Sequence, residues 1–359
     1  TQSNAGSTYN WSVTGGTIVQ NNGASILVDW GSAGSAEVSV TEISIHECVG
    51  SVNYPVTIHP KPDPQISGPA ETCQNGEEVT YSTPLNSGSA YSWTVSGGQV
   101  VGSTDQNTIT VIWGSPGDAQ LTVTEVNEHG CEETDQHDVI IYENPDPDIQ
   151  GESRVCAMTT GVEYSTNYDS DNSYSWQVSG GSFSEGTNPA TILVDWGDGQ
   201  TGRVTVTETS EFGCDGTDIM DIEIDPIPDP MVTGKTDPCE DASGVIYSTK
   251  SSQTNSFDWV VNGGTILSGQ GTSRISVEWG APGTHTVKVT ETTDIGCEAS
   301  DELSVTVHEN PEPVITGNNE ICADVEGEVY STVDNPAWGY EWTVNRGTLI
   351  SGQGTSSIT

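Results

Sequence analysis

The chain has 359 residues, with 52 acidic against 8 basic side chains and a net charge of −44. Charge of that sign and size repels phosphate backbones and anionic membrane surfaces, which excludes nucleic acid and acidic lipid as expected partners. It suits a soluble extracellular polymer, or one that holds cations.

Ten Trp, eleven Tyr and a regular apolar alternation argue against a disordered acidic chain. The longest apolar runs, such as Val139–Tyr142, are too short to span a membrane. Eight Cys at strict spacing in a Lys-poor chain point to an oxidising, extracellular compartment.

A repeat organises everything else. Cys48, Cys131, Cys214 and Cys297 are evenly spaced, and Cys73, Cys156, Cys239 and Cys322 follow one another at the same interval. A proline-stiffened joint recurs in the same register: P-D-P-Q-I-S-G from Pro62, P-D-P-D-I-Q-G from Pro145, P-D-P-M-V-T-G from Pro228 and P-E-P-V-I-T-G from Pro311. Cutting at the prolines gives modules at 63–145, 146–228 and 229–311, with partial modules at 1–62 and 312–359. The sequence therefore reads as a window on a longer array.

Within 63–145 the expected elements run as follows. Gln65–Gly68 is a short first strand after the prolines, and Asn75-Gly76 is a turn. Val79–Thr83 alternates and is β-branched, so it is a strand. Pro84–Ala90 is a loop, and Tyr91–Ser96 is a strand closed by Gly97-Gly98. Gln99–Gly102 is a short strand or a bulge, and Thr108–Trp113 is a strand ending at Gly114. After a turn at Ser115–Asp118, Ala119–Val126 and Glu132–Tyr142 form the last hairpin around Asn127–Gly130. Seven short strands without a helical period predict an all-β fold: tandem Ig-like sandwich modules in an extended, end-to-end array.

Trp93, Trp176, Trp259 and Trp342 recur mid-strand, with Trp11 as the copy in the leading segment. Trp113, Trp196 and Trp279, with Trp30, each precede a Gly at a strand end. They could be sugar-stacking platforms, but recurrence at mid-strand favours the core between two sheets. Trp338, in N-P-A-W-G, has no counterpart and is either an exposed contact or a loop plug.

The motifs P-x-P-x-I-x-G, V-x-Y-S-T, Y-S-W-x-V-x-G-G, I-x-V-x-W-G and V-T-V-T-E…G-C resemble those of PKD-like modules in giant surface adhesins of Bacteroidota, including gliding-motility adhesins. The resemblance covers the whole chain. It implies an immunoglobulin-class sandwich, a cell-surface location and export by type IX secretion. The chain departs from PKD domains proper, which carry a W-D-F-G-D-G-like stretch. Here the third strand ends in Gly-Gly, and Gly197-Asp198-Gly199 stands elsewhere in one copy.

No H-E-x-x-H, P-loop or C-x-x-C motif occurs, and the six His are scattered. No catalytic residue is assigned, and the chain does not read as an enzyme. Calcium is the chemical option on offer. Asn167–Asn172 resembles the start of a calcium loop, but it lacks the central Gly and has Val178 at the twelfth position. A better set is Glu42, Glu125, Glu208 and Glu291 at the end of the sixth strand, close to Asp63, Asp146, Asp148, Asp229 or Glu312 of the joints. Such carboxylates could hold Ca²⁺ and stiffen a joint, or they are solvated surface acids. The sequon Asn10-Trp11-Ser12 is discounted because its Trp belongs to the core pattern.

The favoured function is a stalk or filament segment of an extracellular adhesin, a mechanical spacer in which proline joints limit bending. The expected partners are neighbouring modules of the same chain, other filament copies or surface glycans. The rival readings are a glycan-binding module array and the accessory region of a secreted degradative enzyme.

The cysteines offer two connectivities. Pairing within a module would join Cys73 to Cys131, Cys156 to Cys214 and Cys239 to Cys297. Strand order places Cys73 and Cys131 at opposite poles, about 30 Å apart over roughly nine strand residues. A disulfide needs Cα atoms within about 7 Å. Pairing across joints, Cys73–Cys214 and Cys156–Cys297, is therefore proposed, with the other four Cys awaiting partners outside the window. Sequence alone leaves both connectivities open.

Overall fold

The computed structural model describes residues 5–250, 252 and 254–359. Among them there is no helix, and so none long and apolar enough to cross a membrane. The chain divides into two compact units, each taken by itself. The first holds Thr1–Ser153, Thr160–Asp195 and Thr201–Ile222; the second holds Arg154–Thr159, Trp196–Gln200 and Glu223–Thr359.

In the first unit the leading segment forms β1 (Thr8–Thr14), β2 (Gly16–Asn21), β3 (Ile26–Trp30), β4 (Gly34–Ile43) and β5 (Val49–Ile58), paired as β1-β4-β5 and β2-β3. The next module is a full sandwich of β6 (Glu71–Cys73), β7 (Val79–Ser82), β8 (Ala90–Ser96), β9 (Gly98–Val101), β10 (Thr108–Trp113), β11 (Gly117–Val126) and β12 (Glu132–Tyr142). One sheet runs β6-β12-β11-β8 and the other β7-β10-β9. The short β6 is parallel to the end of β12, with Cys73 opposite Tyr142.

The following module supplies β13 (Arg154–Cys156), β14 (Val162–Ser165), β15 (Ser173–Ser179), β16 (Gly181–Glu185), β17 (Thr191–Trp196), β18 (Thr201–Thr209) and β19 (Asp215–Asp225). In the first unit β14 pairs with β17 and β15 with β18; in the second, Arg154–Cys156 runs parallel to Glu223–Asp225.

The rest of the second unit adds β20 (Thr233–Gly234), β21 (Val245–Ser248), β22 (Ser256–Val261), β23 (Gly264–Ser268), β24 (Arg274–Trp279), β25 (Gly283–Thr292) and β26 (Glu298–Val307). These form sheets β20-β21-β24-β23 and β22-β25-β26. Two short strands, β27 (Tyr330–Ser331) and β28 (Ser357–Ile358), close the chain.

Alternation decides which side chains meet. Along β11, Ala119, Leu121, Val123 and Glu125 are buried while their neighbours face outward, the period of a half-buried strand. The core of this module gathers Trp93 from one sheet and Tyr81 and Trp113 from the other. Tyr81 meets Trp113 edge-on, with ring centroids 5.9 Å apart, and its hydroxyl accepts the indole N–H at 3.2 Å. The same pair recurs as Tyr247 and Trp279. Each indole of the other series donates to a loop carbonyl: Trp93 to Gln106, Trp176 to Pro189, Trp259 to Thr272 and Trp342 to Thr355. Buried Trp N–H groups need such partners. Gly97 turns the chain between the sheets at φ +81°, where a Cβ would press on Ala119.

The burial of the Trp residues is not uniform. Trp93 and Trp259 are 3% and 2% exposed, and Trp113, Trp196 and Trp279 are equally buried. Trp176 and Trp342 are only half-buried. The expected first strand at Gln65–Gly68 is reduced to a single bridge, Ser67 to Ser82, and the short strand forms at Glu71–Cys73 instead.

Candidate functional site at the module joints

Proline has no N–H, so a joint of the form P-x-P leaves few backbone donors. The first two N–H groups after the second proline are both captured. Gln65 N–H donates to Thr83 Oγ1 at 3.1 Å, and Ile66 N–H to Asp135 Oδ2 at 2.7 Å. Asp148 and Ile149 repeat this with Thr166 and Asp218. In the second unit, Met231 and Val232 do so with Thr249 and Asp301. Hydrogen bonds to a charged acceptor are the stronger kind. Thr83 and Asp135, with their copies, were not among the residues singled out from the sequence. Their recurrence at the spacing of the cysteines is the signal that could have found them.

The joint glycine has a steric cause. A Cβ on Gly68, Gly151, Gly234 or Gly317 would fall inside the ring of Tyr81, Tyr164, Tyr247 or Tyr330 respectively. Each of these tyrosines donates its hydroxyl back to the joint, at Pro69, Glu152, Lys235 or Asn318. The strand and the joint that precedes it are thereby locked together.

The disulfides lie beside these joints. Cys73 bonds Cys214 in the first unit, and Cys156 bonds Cys297 in the second, each with Cα atoms 5.5 Å apart. Each bond links the start of one module to the last hairpin of the next; the pairing within modules does not form. The hairpin prepares the cysteine: Gly213 and Gly296 take positive φ, and Ser210 Oγ and Thr293 Oγ1 accept the N–H of Cys214 and Cys297. Cys48, Cys131, Cys239 and Cys322 are free thiols.

Around this common frame the side chains differ. At Cys73–Cys214, Tyr142 stacks on Phe212 with centroids 3.8 Å apart and planes 2° from parallel. Gly216 abuts the Pro145 carbonyl so closely that a Cβ has no room. Near Cys131, His59 stacks on His129 at 3.5 Å, and Lys61 pairs with Glu133 at 3.0 Å.

At Cys156–Cys297 an ion cluster takes over. Arg154 lies 2.6 Å from Asp225, 3.0 Å from Asp294 and 3.5 Å from Glu223. Bonding to Asp225 first, and then to Asp294, raises the guanidinium pKa. The hydrogen bond from Arg154 lowers that of Asp294. A depressed carboxylate contributes stability above its unfolded value, near 3.8, and loses it as pH falls through the folded value. We expect Asp294→Asn to lower the melting temperature at neutral pH, with the gap to wild type closing below about pH 4. A gap independent of pH would refute this.

The structure does not bring the proposed calcium ligands together. Glu125 is fully buried and accepts from Asn86 Nδ2 at 2.9 Å and Ser89 Oγ at 2.6 Å. Glu208 accepts from Asn172 and Tyr174, and Glu291 from Asn255. Each glutamate closes the loop of its own module. The joint acids are occupied elsewhere: Asp63 with Gln65, Asp148 with Gln150, and Asp229 with Lys250; Asp146 is exposed. Among the described residues no three His, Cys, Asp or Glu converge on a metal position. At Asn167–Asn172, Asp169 instead forms a local turn by accepting the Asp171 N–H. Trp338 is 43% exposed and lines a cleft of about 360 Å³ with Pro311, Pro313, Tyr340 and Trp342.

The PKD-like domain profile matches residues 59–139, 143–222, 226–307 and 309–359. The chain belongs to the PKD-like domain family. The four successive matches in this chain account for its repeated Tyr, Trp, Gly and Cys positions. No curated protein matches the chain.

Among solved structures, the PKD-like chain is similar to the human desmocollin-1 ectodomain, at 11% identity, covering 84% of this chain and 72% of that one, with a TM-score of 0.24. Drosophila N-cadherin EC1-4 is 10% identical, with 87% and 94% covered and a TM-score of 0.26. A Bacteroides ovatus SGBP-B in complex with a mixed-linkage heptasaccharide is 13% identical, with 72% of each covered and a TM-score of 0.19. At these scores the similarities carry no argument.

Proposed function

We propose that this chain is a load-bearing spacer of an extracellular repeat adhesin of the gliding-motility type, secreted or displayed at the cell surface. The observation that carries the reading is the covalent bond across each of two successive joints, Cys73–Cys214 and Cys156–Cys297. A single module gains nothing from such a bond, whereas a chain under tension gains a limit on how far a joint opens. The captured joint backbone and the Tyr–Gly contact act in the same direction, by fixing the entry of each module.

The module boundaries at 63–145, 146–228 and 229–311 belong to this proposal, as do neighbouring modules and other filament copies as partners. The work assigned to the chain is mechanical and needs no catalytic group. Small-angle scattering on the full chain tests it. An elongated particle with few contacts between non-neighbouring modules is expected, and a compact globule would overturn the reading.

A further inference from the structure

In the first unit, the module of β14 to β19 differs from its neighbours around its strand tryptophan. Its strand tryptophan, Trp176, is half-buried, where Trp93 and Trp259 are closed off. Phe183 stands 45% exposed at the position where Val100 and Ile266 pack against the cores of their modules. Tyr174 is half-buried next to them, and Tyr168 lies 6.2 Å from Tyr174.

The loop before β17 explains the opening. In the other modules it lies over the tryptophan strand. Trp93 N–H donates to Thr104 O, and Trp259 N–H donates to Gln270 Oε1. Among the described residues no corresponding main-chain N–H bond holds the loop to Trp176, and its one tie to the loop is the indole N–H donated to Pro189 O at 3.0 Å. Asn188-Pro189 turns that loop on itself instead. Asn188 Oδ1 accepts from Ala190 N–H at 2.9 Å and Thr191 Oγ1 at 3.3 Å, a local arrangement typical of Asn, and Pro189 contributes no N–H. The result is a cleft of about 380 Å³ lined by Tyr174, Trp176, Phe183, Glu185, Thr187 and Asn188, among others.

We propose that this cleft binds a neutral saccharide, one or two pyranose units of a longer glycan. Its volume lies in the range of small-molecule sites, and it combines apolar faces with a few polar groups that set orientation. Aromatic rings offer flat apolar surface to the C–H face of a pyranose. Around them stand a carboxylate at Glu185, a hydroxyl at Thr187 and the amide of Asn188, whose Nδ2 remains a donor. That density of donors and acceptors matches ring hydroxyls better than a proline-rich peptide, which needs mainly aromatic grooves. The net charge of −44 and Glu185 disfavour uronic or sulfated sugars. The inference does not rest on the spacer reading: a load-bearing chain needs no cleft, and a cleft survives if the chain bears no load.

The test titrates the full chain with cellohexaose, xylohexaose and mannohexaose, followed by calorimetry and saturation-transfer NMR. Oligogalacturonate and decaproline serve as counter-probes. Binding of at least one neutral hexasaccharide is expected. Phe183→Val, which installs the residue of the neighbouring module, should weaken it about tenfold or more with an unchanged melting transition. Glu185→Gln should weaken it as well. The proposal fails if no neutral oligosaccharide in the panel binds, if only oligogalacturonate or decaproline binds, or if both variants bind as the wild type does.

Discussion

Pulled by its two ends, the reduced chain should reach a contour roughly 470–510 Å longer than the oxidised chain, taking about 3.3–3.6 Å per extended residue. The figure follows from connectivity. Each disulfide bridges a sequence separation of 141, and Cys156 lies one module after Cys73. With both bonds intact, force entering at Cys73 can run along the chain to Cys156 and cross to Cys297. It can equally cross first to Cys214 and then run along the chain to Cys297. Each route contains one module's length of backbone, so the load is shared between two covalent paths of equal length.

Breaking one bond leaves the other route intact. The variants Cys214→Ser and Cys297→Ser should therefore show the wild-type maximum length, and only the double variant should match the reduced chain. The same topology makes one backbone cut between Cys73 and Cys297 harmless to continuity. Atomic-force extension of the full chain reads the lengths directly. A single variant that already reaches the reduced length would show that the two bonds do not form together.

Periodicity made the sandwich legible. The alternation in Thr108–Trp113 and Glu132–Tyr142 gave strands with those same bounds, because one face of each strand is buried and the other wet. Gln65–Gly68 misled for the opposite reason. It looks extended after two prolines, but the N–H groups of Gln65 and Ile66 go to the Thr83 and Asp135 side chains, which leaves only the Ser67–Ser82 bridge for pairing. Glu125, Glu208 and Glu291 stood out by their spacing, but their role did not: among 52 acidic residues, nothing in the sequence marks these three as buried loop anchors instead of exposed cation ligands. Their partners sit in the loops at Ser89, Asn172 and Asn255, which share the spacing of the cysteines, and only a paired reading of both series would reveal them. Trp176 shows the limit of motif reading. It stands in the same Y-S-W motif as Trp93, yet its burial is decided by Asn188-Pro189 in a loop further along the chain.

Substituting Gly234→Ala should destabilise its module by about 2–6 kcal/mol, combining overpacking with disturbed buried hydrogen bonds. The added methyl would enter the ring of Tyr247, which is fully buried and held on both sides. Its hydroxyl donates to Lys235 O at 2.7 Å and accepts the Trp279 indole N–H at 3.2 Å. Moving the ring breaks those bonds in a site without water to replace them, and moving the joint instead pulls Val232 N–H away from Asp301. Neither adjustment is cheap, because the core around Tyr247 contains Val277 and Val287 with no exposed surface into which it could expand. Because the modules share no single core, the damage should be local, and hydrogen exchange resolves it better than a global melt. Amides of Val245–Ser248 and Arg274–Trp279 should lose protection, while those of Thr108–Trp113 keep theirs. Gly50→Ala, where a methyl meets nothing within 4 Å, is the control and should change neither set. Protection retained at Val245–Ser248 in Gly234→Ala would mean that the Tyr247 ring can yield, and that the joint glycine is not required for packing.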